Sequence, residues 1–141
     1  MKRSGSAVWQ GDLKNGKGTV STDSGVLTNQ QYSFGTRFEN GKGTNPEELI
    51  AAAHAGCFTM ALSAQLGNAG LTAEKLATTA TVTFDKLEAG WTVTHILLDV
   101  KGRVPKADQA AWDKATQAAK TGCPISRLLN TTIEMKAALE G

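Results

Sequence analysis

The chain has 141 residues, a formal net charge of +2, 40% hydrophobic residues and two cysteines. That length suits one domain with a real core, and 1–141 reads as a single domain. So small a charge, spread over scattered Lys and Arg, excludes the footprint of a nucleic-acid binder.

In chain order, the opening MKRSGSAVWQG has no apolar run of the kind a secretion signal needs, so a cytoplasmic protein is expected. Ser6–Gln10 alternates as a strand, and Asp12–Gly18 turns. Gly18–Thr22 and Val26–Leu27 read as strands joined at Asp23-Ser24-Gly25, and Gln31–Phe34 as another, with Arg37-Phe38 just beyond Gly35.

A long helix then starts at Asn45. Asn45 suits the cap, Pro46 the first helical position, and Glu48 the third position of a capping box, which frees Glu47 for other work. The helix runs to Asn68, where Gly67, Asn68 and Gly70 permit a left-handed exit. No charged residue occurs between Glu48 and Glu74. Leu49, Ile50, Phe58, Met60, Leu62 and Leu66 point around the whole wheel, so this helix is expected to be buried on all sides. An uncharged run of this length can cross a bilayer. The Ala, Gly and Ser content, with His54, Gln65 and Asn68 inside it, favours a central core helix and no membrane. A helix of about two dozen residues is roughly 36 Å long, more than one small protomer wraps easily, so a second copy of the chain is expected to help.

Beyond it, Lys75–Leu87 alternates, with Leu76, Thr78, Ala80, Val82 and Phe84 on one face. Glu88-Ala89-Gly90 turns the chain and Trp91–Arg103 returns as the second arm of a long antiparallel hairpin. Ala107–Lys120 reads as a second helix, Cys123–Leu129 as a short third, and Thr131–Leu139 as a closing strand. The expected class is α+β, with antiparallel sheet packed on helices.

Cys57 and Cys123 lie far apart in a chain with cytosolic features, which argues against a disulfide framework and leaves free thiols or a catalytic pair. Cys57 on a core helix reads most simply as a small buried apolar residue. Cys123 precedes Pro124 at a helix start, where the dipole favours a thiolate, so local physics ranks Cys123 first as a nucleophile; the plainer reading is an N-cap. His54, three residues before Cys57, reads as a core histidine or as a base for that thiol. A zinc site from His54, Cys57, His95 and Cys123 lacks the paired close spacings of zinc motifs. Arg37 reads as an ordinary surface residue unless it faces a thiol, where a permanent cation stabilises thiolate.

The run GTNPEELIAAAHAGCFTMALS (43–63), the segment GKGTVSTDSGVL (16–27), Arg37 with Phe38, and GCPIS (122–126) together resemble the OsmC branch of the OsmC/Ohr family over nearly the whole chain. The resemblance implies an intertwined homodimer with antiparallel sheets around the long helix. It also implies a peroxidase acting on organic hydroperoxides without haem, flavin or metal. In that pattern Cys57 is the peroxidatic residue and Cys123 the resolving one, which reverses the local ranking. Arg37 and Glu47 match the pair beside the reactive thiol, and an external dithiol reduces the disulfide formed. A thiol redox sensor, a small-ligand binding module and a structural dimer with inert cysteines stay open. Glu47 and Cys57 are ten residues apart, about 15 Å of helical rise, so a site joining them is expected to borrow Glu47, with or without Arg37, from a second subunit, unless a break or bend near Leu49 joins them within one chain.

Overall fold

The computed structural model describes residues 1–141, which form two compact units, Met1–Leu49 and Ile50–Gly141. In the first, strands β1 (Gly5–Gln10), β2 (Lys17–Thr22) and β3 (Gln30–Tyr32) make an antiparallel sheet in the order β1-β2-β3. Gly18 in β2 lies against the rings of Trp9 and Tyr32, where any Cβ would collide with both. That bare backbone lets the two rings meet at 5.4 Å between centroids. Val26–Leu27 is not a strand but part of the turn, held by Thr22 N–H donating to Leu27 O at 2.8 Å.

Phe34–Phe38 is a short helix, α1, so Arg37 sits in a helical turn and not at a strand end. The reason is local. Ser33 Oγ accepts from Thr36 N–H at 3.2 Å and Thr36 Oγ1 accepts from Ser33 N–H at 2.8 Å, a reciprocal capping box.

The long helix α2 spans Pro46–Asn68, as its start and stop residues predict. Only His54, Phe58, Leu62 and Leu66 are buried in it, and Met60 is 78% exposed. The expectation of burial on all sides therefore fails for the single chain. The apolar residues that circle the wheel divide into a core-facing row and a row open to solvent. Its length and composition would also suit a bilayer span.

In the second unit, β4 (Lys75–Leu87) and β5 (Gly90–Arg103) form the expected antiparallel hairpin, with a register shift between Thr83 and Phe84. Along β4 every second residue from Leu76 to Phe84 is turned inward. Helices α3 (Gln109–Gly122) and α4 (Pro124–Leu128) carry the chain across to β6 (Thr132–Glu140), which lies parallel to β5. The sheet is therefore mixed, not antiparallel throughout. Parallel neighbours need a crossover, and α3 and α4 supply it.

The core joins Phe58, Leu62 and Leu66 of α2 to Ile96, Leu98 and Val100 of β5 and to Trp112, Ala115 and Ala119 of α3, with Cys123 beside them. Each large apolar side chain buried there contributes about 1.5–3 kcal/mol. Gly102 makes room for the Trp112 indole, which any side chain at that position would strike.

Candidate active site

Two constellations carry the chemistry, one in each unit. In the first, the α1 capping box fixes Arg37, and its guanidinium makes a two-pronged contact with Glu47. Nε donates to Oε1 at 3.0 Å and Nη2 to Oε2 at 3.2 Å, the fork geometry that suits Arg to carboxylates. Asn45 places Glu47 for this. Its Oδ1 accepts Glu48 N–H at 2.8 Å, capping α2, while its Nδ2 donates to Thr36 O of α1 at 3.1 Å. Glu48 does not close the capping box on Asn45; it accepts from Thr44 Oγ1 at 2.8 Å. Glu47 is thereby left for Arg37. A cavity of about 230 Å³ adjoins the guanidinium, lined by Trp9, Leu13, Tyr32, Ser33, Phe34, Arg37 and Phe38. Sequence reasoning missed this aromatic pocket, although every one of its rings lies close to Arg37 in the chain or on the paired strands.

In the second unit, Cys57 lies mid-way along α2 and Cys123 at the joint between α3 and α4. Cys123 Sγ is 2.8 Å from Cys57 Sγ, within hydrogen-bond reach; both are free thiols. Cys123 is the N-cap of α4, as its place before Pro124 predicts, but its side chain makes no cap hydrogen bond and the thiol faces Cys57 instead. Cys57 is half-buried and Cys123 fully buried, 0% exposed. Burial first, then the hydrogen bond shared with Cys123, in which Cys57 keeps its proton, pushes the Cys57 thiol up from its ordinary range, while the Ile125 backbone N–H pulls it down. Left to these influences, Cys57 is a thiol and not a thiolate near neutral pH.

His54, one turn before Cys57, is 0% exposed, and its Nε2 lies 2.7 Å from Ser126 Oγ. Burial pushes its pKa down, which keeps the ring neutral. His95 is elsewhere, on the outer sheet face with Glu134 at 3.1 Å, so the four-residue zinc set is not assembled, and no group of three metal-binding side chains is. Ser126 was not singled out from the sequence. The twin spacings His54/Cys57 and Cys123/Ser126 were the available signal.

Residues 39–137 match the model of the family described as OsmC-like protein. The chain is also 53% identical over 140 residues to Peroxiredoxin OsmC of Escherichia coli (strain K12), covering 99% of this chain and 98% of that protein. The chain belongs to the OsmC family. Solved structures agree on the fold. The organic hydroperoxide resistance protein OhrB of Bacillus subtilis superposes with a TM-score of 0.68 at 22% identity, over 97% of this chain and 98% of that one. The OsmC like protein from Mycoplasma pneumoniae gives a TM-score of 0.78 at 16% identity, over 100% and 99%. Within this OsmC fold, two sheets and a long helix hold the two constellations just described.

Proposed function

We propose that this chain is a cysteine-based peroxidase that reduces organic hydroperoxides to alcohols. The observation that carries the reading is the approach of Cys57 to Cys123 at 2.8 Å in a chain 53% identical to Peroxiredoxin OsmC. Cys57, the more accessible thiol, attacks as thiolate the terminal oxygen of the hydroperoxide. The O–O bond breaks, Cys57 becomes a sulfenic acid, and the alkoxide takes a proton and leaves as alcohol. The Cys123 thiol then attacks the Cys57 sulfur, forming the disulfide and releasing water. A disulfide bond is about 2.05 Å long, so under about 1 Å of closure separates the thiol pair from it. An external dithiol returns both thiols by exchange, a demand that suits a cytoplasmic setting.

A thiol raised by burial needs a cation to ionise, and Arg37 is the residue we assign to it, held by Glu47. The same guanidinium stabilises charge on the departing alkoxide. Glu47 and Cys57 stand ten residues apart on α2, about 15 Å of helical rise. The site is accordingly completed in a homodimer, each Cys57 served by the partner subunit's Arg37 and Glu47. The solvent-open row of α2, including Gly56 and Met60, supports such an assembly. The aromatic pocket beside Arg37 would then hold the organic part of the substrate, favouring cumene hydroperoxide over hydrogen peroxide.

The test is turnover of cumene hydroperoxide with a dithiol, for wild type and Cys57→Ser. Turnover should vanish in the variant, and mass spectrometry of oxidised wild type should show an intramolecular Cys57–Cys123 disulfide. Turnover that survives Cys57→Ser would overturn the reading. So would a Cys57 that stays reduced in peroxide, which would leave a ligand-binding module or an inert structural dimer.

A further inference from the structure

The contacts between α2 and α4 form two rungs. His54 and Cys57 are three residues apart on α2, and Cys123 and Ser126 three apart at the start of α4. Each residue meets the opposite end of the other pair, His54 with Ser126 at 2.7 Å and Cys57 with Cys123 at 2.8 Å. The reaction uses the sulfur rung. The nitrogen–oxygen rung one turn away has no step assigned to it, although it joins a histidine that is 0% exposed to a serine that is 9% exposed.

His54 Nδ1 has no hydrogen-bond partner and is buried. A buried N–H left without an acceptor is rarer than a buried lone pair left without a donor. The hydrogen-bond pattern therefore assigns the proton to Nε2, which donates to Ser126 Oγ, with Nδ1 as the bare acceptor. A histidine in this state is a fixed donor aimed at one hydroxyl. What it holds is short: Pro124–Leu128 is a single turn of helix, and an isolated turn has little stability of its own. Cys123 and the Ile125 N–H that meets the Cys57 sulfur both belong to that turn or its cap.

We propose that His54 and Ser126 are positioning residues whose buried hydrogen bond latches the Cys123 turn onto α2, keeping the second thiol at high effective concentration beside the first. The latch acts on resolution. With the turn fixed, Cys57 sulfenic acid meets Cys123 before a second peroxide molecule can carry it to sulfinic acid. With the turn loose, the same reaction must first order the turn, so the sulfenic acid lives longer and the disulfide is the weaker partner in exchange. The kinetic part rests on the peroxidase reading; the disulfide equilibrium does not.

Four variants separate positioning from mere packing: Ser126→Ala, His54→Leu, the double variant carrying both, and His54→Gln, whose amide nitrogen can replace Nε2 as donor. The first measurement is the equilibrium of the Cys57–Cys123 disulfide in glutathione buffers, which needs no peroxidase activity. Ser126→Ala should weaken the disulfide about tenfold, a rise of about 30 mV in reduction potential for a two-electron couple. The second is dimedone trapping of the sulfenic acid after one equivalent of cumene hydroperoxide, which should increase several-fold. The double variant should recover thermal stability, because both buried polar groups are gone, yet keep the altered potential and trapping. His54→Gln should restore both towards wild type. The proposal is overturned if the potential of Ser126→Ala or of the double variant equals that of wild type. A wild type that fails to form sulfenic acid would sink the peroxidase reading while the glutathione equilibrium still decided the latch.

Discussion

The Arg37–Glu47 pair and the Cys57–Cys123 pair are built in opposite ways. The charged pair joins residues 10 apart, through a capping box, a loop and a helix cap that are all local. The thiol pair joins residues 66 apart, and it exists only because a crossover between parallel strands returns the chain to α2. Their chemistry is just as divided. One holds a cation beside an aromatic pocket with no thiol, and the other holds two thiols whose burial opposes ionisation. Each has what the other lacks, and the mechanism proposed above draws on both.

Removing the cation is the most severe way to break this division of labour. Arg37→Met should lower the second-order rate with cumene hydroperoxide about 100- to 1,000-fold, as expected for loss of one group stabilising a developing oxyanion. The iodoacetamide alkylation rate of Cys57 against pH should move to higher pH, since burial then acts without a cation to oppose it. Profiles that overlay would make Arg37 a surface residue.

Joining the halves across subunits is the next test. Cys57→Ser and Glu47→Ala chains, each inactive alone, are co-expressed. With random pairing half the dimers are mixed and one of their two sites is intact, so roughly a quarter of wild-type activity should return. A mixture that stays inactive would mean that each site is built from one chain.

The smallest effect sharpens the comparison from the thiol side. His54 is held below its ordinary value of 6.5 by burial, so below that pH the unfolded chain binds more protons than the folded one. Stability due to His54 is therefore complete above 6.5 and is lost as the pH falls towards its folded value. The melting temperature should drop less between pH 7 and pH 5 in His54→Gln than in wild type. An equal drop in both would place the acid sensitivity elsewhere.

The contrast between local and distant pairing also explains what could be read from residues alone. Asn45 and Pro46 mark the start of α2 because caps depend on neighbours, and the β4–β5 hairpin follows from its alternation and its turn at Gly90. Gln31–Phe34 reads as a strand because Tyr32 and Phe34 suit one, yet Ser33 and Thr36 close a box three residues apart that turns the chain into helix from Phe34. The parallel pairing of β6 leaves no mark in its own alternation, which is the same for either direction. Local physics ranked Cys123 above Cys57 because it saw a helix start but not the fold that buries Cys123 and leaves Cys57 reachable. Only the family resemblance, carried by the long central motif and GCP, put Cys57 ahead of Cys123, the order proposed above.

The crossover has one more consequence, in the entropy of the unfolded chain. A disulfide between Cys57 and Cys123 would tie off a loop of 66 residues. Closing such a loop removes about 4 kcal/mol of freedom from the denatured ensemble, in the chain-entropy account of cross-links. Every turnover would then firm the fold on oxidation and loosen it again on reduction, by an amount comparable to a sizeable part of the ~5–15 kcal/mol that holds a typical domain together. A reductant meeting the oxidised chain works against that gain, so the fold itself helps to set how strong a dithiol must be to close the cycle.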